Sequence, residues 1–292
     1  MNKVKIAVIG GGSIGLLVSS YLAKSHDVSL YVRRIEQQKR INENQIHLLK
    51  DSASNQIVEV PAFSIEQLRS NHDLYIICVK QPQLKEVLEP FYRNSFTAPL
   101  LFLQNGMGHI EVIESLSQQV YVGVIHHGAY RTADNHIHHL GDGSITLASL
   151  TGSDSELDRL QVALNQSDFP IQQVTDWELL LKEKVLINAV INPLTALFNV
   201  ANGEIINNNH IAFLAKEISA ETAITLQLPI NQAWEDVVRT AEATKKNVSS
   251  MRADIQAKRP TELEAISGYV LKKANQKLPY TNFVYHAILA LS

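Results

Sequence analysis

Lys5-Ile6-Ala7-Val8-Ile9-Gly10-Gly11-Gly12-Ser13-Ile14-Gly15 is the stretch that decides the fold. Five mostly β-branched or apolar residues run into a glycine-rich turn. The turn opens residues 14–24, whose apolar positions have helical spacing. In such a turn Gly10 permits the tight bend, Gly12 lets the backbone approach a ligand, and Gly15 lets the helix pack on the strand. The helix start adds free N–H groups and a positive dipole end. A glycine turn alone is weak evidence, but here strand, turn, helix and a second strand at 28–32 occur in order. Gly10, Gly11, Gly12, Ser13, Ile14 and Gly15 are therefore expected to hold a dinucleotide.

The end of the second strand selects the dinucleotide. Arg33 and Arg34 stand there, with no acid before Glu36. A carboxylate at this place accepts from a ribose 2′-hydroxyl, whereas a guanidinium attracts a 2′-phosphate. NADP(H) is the expected cofactor, with Arg33 as the contact. Residues 73–79 and 100–103 are continuous apolar runs, as suits strands buried on both faces of a parallel sheet. They end at Lys80 and at Gln104-Asn105-Gly106. Lys80 reads either as a surface lysine or as a ligand, and Asn105 either as a turn former or as a ligand. Their place at strand ends favours the site.

Residues 119–150 alternate in polarity around turn signals at Ala133-Asp134-Asn135 and Asp142-Gly143, which predicts antiparallel strands or hairpins closing the sheet. After residue 174 the strand pattern stops. Residues 176–200, 211–227, 232–246 and 261–277 read as helices. The expected architecture is an α/β Rossmann-type doubly wound parallel-sheet domain, residues 1–175, followed by an all-α domain, residues 176–292.

Composition removes several other classes. Among 292 residues, Lys and Arg number 26 and Asp and Glu 29, a net charge of −3, and neither half has a basic excess. That argues against nucleic-acid binding. The lone Cys78 cannot form an internal disulfide, so a cytoplasmic setting is expected. Glycines interrupt the apolar start, and residues 185–203, though uncharged, carry four asparagines and Pro193; neither stretch suits a membrane. His126, His127, His136, His138 and His139 cluster in sequence but lack metal-motif spacing, so no metal is expected.

Lys184-Val185-Leu186-Ile187-Asn188-Ala189-Val190-Ile191-Asn192-Pro193 carries the chemistry. Lys184, Asn188 and Asn192 are spaced i, i+4 and i+8 on an otherwise apolar helix. Buried without partners, each polar group costs about 1–3 kcal/mol or more, so the stripe should face a polar cavity or ligand. The alternative is an exposed first-turn lysine with asparagines bridging helices. Pro193 is expected to kink or end the helix. Glu262, after Arg259-Pro260-Thr261, reads by itself as a favourable first-turn acid.

These residues together resemble the 2-dehydropantoate 2-reductase (ketopantoate reductase) family over nearly the whole chain. The matching motifs are GGGSIG (10–15), Arg33, Lys80, QNGMG (104–108), KVLINAVINPLTALFNVANGE (184–204), NVSSMRADI (247–255) and RPTELEAISGYVL (259–271). The resemblance implies NADPH-dependent reduction of ketopantoate to pantoate. It implies Lys184 as general acid and Glu262 as its partner, which also reaches the cofactor. Asn105, Asn188, Asn192, Asn202 and Ser250 become substrate residues; Arg33, Lys80 and Asn105 contact the cofactor. The implied partner is a small 2-keto acid, in a monomer or homodimer. Two other readings stay open: reduction of another branched 2-keto acid, and a non-catalytic NADP(H)-sensing protein.

Overall fold

The computed structural model describes residues 3–50, 54–93 and 96–291. The chain divides into two units, Met1–Gln104 with Ile110–Trp177, and Asn105–His109 with Glu178–Ser292.

In the first unit the described strands are β1 (Lys5–Ile9), β2 (Asp27–Val32), β3 (Ile46–Lys50), β4 (Ser54–Val58), β5 (Ala62–Ser64) and β6 (Leu74–Ile77). They continue with β7 (Leu100–Phe102), β8 (Val120–Ile125), β9 (Gly128–Ala133), β10 (His136–Gly141), β11 (Ile145–Ser149) and β12 (Ile171–Gln173). Eight of them form a sheet in the order β12-β11-β8-β7-β6-β1-β2-β5. All its pairs are parallel except β8 with β11. Continuous apolar runs form the centre because both faces are covered: Ile6, Ala7, Val8, Leu74, Tyr75 and Ile77 are fully buried. From β1 the chain passes first to β2 on one side and later to β6 on the other. This reversal opens a crevice at the carboxyl ends of the strands.

The closing hairpin differs from expectation. Only β11 runs antiparallel in the main sheet, while β9 and β10 pair in a second, four-stranded sheet ordered β4-β3-β10-β9. The reason lies in β3 and β4, whose mixed sequence carries little alternation. β3 pairs antiparallel with β4 and, on its other side, in parallel with β10, far along the chain.

The helical unit is built on Trp177–Phe198. Pro193 does not end this helix, which continues past it to Phe198. Val190, Ile191 and Leu194 are buried against Ile205, Ile211, Ala215 and Val237, and this packing outweighs the hydrogen bond that proline removes. Helices Asn209–Leu226 and Ile230–Ala243 follow. The expected helix at 261–277 is shorter, a π-helical turn Glu264–Gly268 leading into Tyr269–Lys273. Three further helices, Glu204–Asn207, Ser250–Gln256 and Pro279–Leu289, lie outside the predicted segments. Among the described residues no helix is long and apolar enough to cross a membrane.

Of the clustered histidines, His127 and His139 are buried in the first unit, His136 and His138 are half-buried and His126 is exposed. The Gly143 N–H donates to His127 Nδ1 at 3.1 Å, which makes that nitrogen an acceptor. His139 Nε2, 3.0 Å from the same atom, must then carry a proton and donate. The Tyr21 hydroxyl in turn donates to His139 Nδ1 at 2.7 Å. Among the described residues no three His, Cys, Asp or Glu side chains gather as metal ligands.

This packing predicts a pH dependence of stability. Burial holds His127 and His109 down at about 4, against 6.5 for a free histidine. A depressed folded-state value means that the unfolded chain binds the proton more tightly. The stability is complete above 6.5 and is lost as pH falls toward 4. From pH 7 to pH 5 each histidine should cost about 2 kcal/mol of unfolding free energy. Urea titrations at the two pH values test this; equal midpoints and slopes would overturn it.

Candidate active site

The glycine turn of the first unit is shaped by contact. Gly10 has φ +116°, and a Cβ on Gly15 would stand 1.7 Å from the Gly10 carbonyl oxygen. Only glycine fits at both ends of the turn. At Gly12, which precedes the helix Ser13–Leu22, an added Cβ would meet nothing within 4 Å. That open space beside a helix start suits an anionic group. Arg33 is exposed just beyond β2, and Lys80 is half-buried three residues beyond β6. The parallel register of β1 with β2 and β6 puts the glycine turn, Arg33 and Lys80 at the same end of the sheet.

Two residues that the sequence does not single out, Gln37 and Arg131, hold this turn. Gln37 Nε2 donates to the Gly11 carbonyl at 2.7 Å, and Arg131 Nη1 donates to the same oxygen at 3.1 Å. The Arg131 backbone N–H donates to Ser13 Oγ at 3.2 Å, so Ser13 faces the β9–β10 hairpin. Asp134 pairs with Arg34. Arg131 and Gly11 are 120 positions apart, and no local pattern announces such a contact.

The second unit contains the polar stripe. Asn188 Nδ2 donates to Asn105 Oδ1 at 3.3 Å, and Asn105 Nδ2 donates to Glu262 Oε2 at 2.8 Å. Asn105 reaches Glu262 because Gly106 follows it. Gly106 has φ +83°, and a Cβ there would lie 2.1 Å from the Ala265 carbonyl oxygen in the π-helical turn. Desolvation lowers the Lys184 pKa below the ordinary lysine value, while the charge of Glu262 opposes the shift. Lys184, Asn188, Asn105 and Glu262 are thus one coupled group. A half-buried ammonium beside a carboxylate is suited to delivering a proton to a developing oxyanion.

The other candidates are placed differently. Asn192 is buried on the same helix as Lys184 and Asn188. Asn202 is buried and donates from Nδ2 to Thr244 Oγ1 at 3.0 Å. Ser250 is exposed at the start of its helix. Its buried neighbour Ser249 caps that helix through the Arg252 N–H and accepts from Thr195 Oγ1 at 2.7 Å.

Residues 6–152 match the family model described as Ketopantoate reductase PanE/ApbA, and residues 176–292 match Ketopantoate reductase PanE/ApbA C terminal. The chain belongs to the ketopantoate reductase family. As a member of that family it is an oxidoreductase acting at a CH–OH group. The chain is 39% identical over 296 residues to a 2-dehydropantoate 2-reductase of Bacillus subtilis (strain 168), covering 99% of this chain and 97% of that protein. A crystal structure from Bacillus subtilis, described as a probable 2-dehydropantoate 2-reductase, superposes with a TM-score of 0.87 at 39% identity. It covers 99% of this chain and 100% of its own. A ternary structure of D-mandelate dehydrogenase with NADH and anilino(oxo)acetate has a TM-score of 0.90 over 98% of both chains. At 21% identity it shows a shared fold alone.

Proposed function

We propose that this ketopantoate reductase family member reduces 2-dehydropantoate to pantoate with NADPH. The observation that carries the reading is the coupled group of Lys184, Glu262, Asn105 and Asn188, with its desolvated ammonium. The glycine turn, with its open space at Gly12, and Arg33 would hold the dinucleotide, Lys80 assisting. When bound, the reduced nicotinamide supplies a hydride. Lys184 meets the negative charge that grows on the substrate oxygen and donates the proton. Glu262 orients the forming hydroxyl and keeps Lys184 charged. Asn105 fixes the carboxylate of Glu262 through its amide. Asn188, Asn192, Asn202 and Ser250 supply donors for the remaining substrate oxygens.

NADPH absorbance followed with and without ketopantoate tests the proposal. Oxidation should depend on ketopantoate and be slower with NADH at equal concentration. A folded protein that leaves NADPH untouched in the presence of ketopantoate would refute it. Faster turnover of another branched 2-keto acid in the same assay would reassign the substrate. A purely cofactor-sensing protein has no use for a desolvated lysine held against Glu262, and this disfavours the binding-protein reading.

A further inference from the structure

We propose that Asp134 sets the selectivity between NADPH and NADH by holding Arg34 as an internal counter-ion, which a 2′-phosphate must displace. The inference rests on the proposed placement of the 2′-phosphate at the carboxyl end of β2. Arg33 and Arg34 follow β2 directly, yet they are not equivalent. Both are exposed, but the Arg34 guanidinium donates to Asp134 Oδ1.

Asp134 is held firmly in that position. Its backbone carbonyl accepts from Gln37 Nε2 at 2.9 Å, and the same amide nitrogen grips the Gly11 carbonyl. Arg131, 3.7 Å from Asp134 Oδ1, is tied to Gly11 and to Ser13. The next residue, Asn135, is buried and donates from its side chain to the Gln45 carbonyl at 2.7 Å. The hairpin tip therefore presents a fixed carboxylate between two arginines, beside the phosphate-binding turn. The Asp134 side chain is 25% exposed and that of Arg34 46%, so solvent partly screens the pair and its effect on cofactor binding is modest.

The consequence follows from competition. A 2′-phosphate brings close to two negative charges and seeks the same guanidinium. To gain Arg34 it must replace Asp134, and the displaced carboxylate then stands as a like charge nearby. NADH brings no such group and leaves the ion pair intact. Asp134 therefore weakens NADPH binding while leaving NADH binding nearly unchanged, and Arg33 carries the preference that remains.

The test compares Asp134→Asn, Arg34→Ala, the double variant and Arg33→Ala by titration with NADPH and with NADH. Asp134→Asn should tighten NADPH about threefold to tenfold and NADH by less than about twofold. In the Arg34→Ala background the gain should vanish, because Asp134 acts through Arg34. Arg34→Ala alone should change the ratio little. Equal tightening of both cofactors by Asp134→Asn would reduce Asp134 to general repulsion of the pyrophosphate and overturn the proposal. A loss of NADPH preference would overturn it in the opposite sense, making Asp134 a support that aims Arg34 at the phosphate. Should Asp134→Asn unfold, as seen in a thermal melt, Arg34→Ala decides: a large loss of NADPH preference there refutes the counter-ion role. Arg33→Ala distinguishes the two layers. If it leaves the NADPH preference intact, the 2′-phosphate placement itself fails; if it removes the preference while Asp134→Asn has no effect, only the role of Asp134 fails.

Discussion

Lys184→Ala is expected to lose at least ~10²-fold in kcat while still folding and binding NADPH. A positioned general acid contributes typically about 10²–10⁴-fold, and lost stabilisation of the oxyanion adds to it. The contribution arises mainly in the transition state, so kcat should fall more than KM rises. Lys184→Gln should recover little, since an amide donates a hydrogen bond but does not yield a proton. The pH profile adds an independent reading. Lys184 must be protonated to act, and desolvation lowers its pKa while the Glu262 charge raises it. Activity should therefore fall at high pH earlier than an ordinary lysine would dictate. In Glu262→Gln the opposing charge is gone, so the high-pH limb should move further toward neutrality, besides any loss of rate. A folded Lys184→Ala enzyme with near-normal kcat would end the general-acid assignment and direct attention to Lys80.

Arg33→Ala is expected to weaken NADPH binding by roughly 10–150-fold, the range for one charge-assisted contact of about 1.5–3 kcal/mol. NADH binding should change little, because it places no phosphate at the end of β2. The pairing of Arg34 with Asp134 makes the loss difficult to compensate, since the neighbouring guanidinium is already engaged. Isothermal titration with both cofactors measures the effect. Equal losses for NADPH and NADH would contradict the role of Arg33.

The fold class was legible because its signals are local. Continuous apolar strands, a turn that only glycine can make and a helix of uniform hydrophobicity each lie within about 25 consecutive residues. The stripe Lys184-Asn188-Asn192 was equally local, since helix geometry alone puts its members on one face. Glu262 was different. Residues 259–262 by themselves describe a first-turn acid; the role proposed for Glu262 rests on family resemblance and is supported by the Asn105 contact, 157 positions away.

By itself, then, the sequence determined the parallel sheet, the glycine turn, the arginines at the end of β2 and the polar face of the long helix. Each follows from short-range sterics and periodicity. Tertiary structure alone decided the rest: the second sheet through β3 and β10, the continuation of the helix past Pro193, the exposure of Ser250 and the contrast between Arg33 and Arg34. These depend on partners far along the chain. Burial against the helical core outweighs the local preference of Pro193. The counter-ion of Arg34 stands 100 positions away, on a hairpin whose position no local pattern encodes.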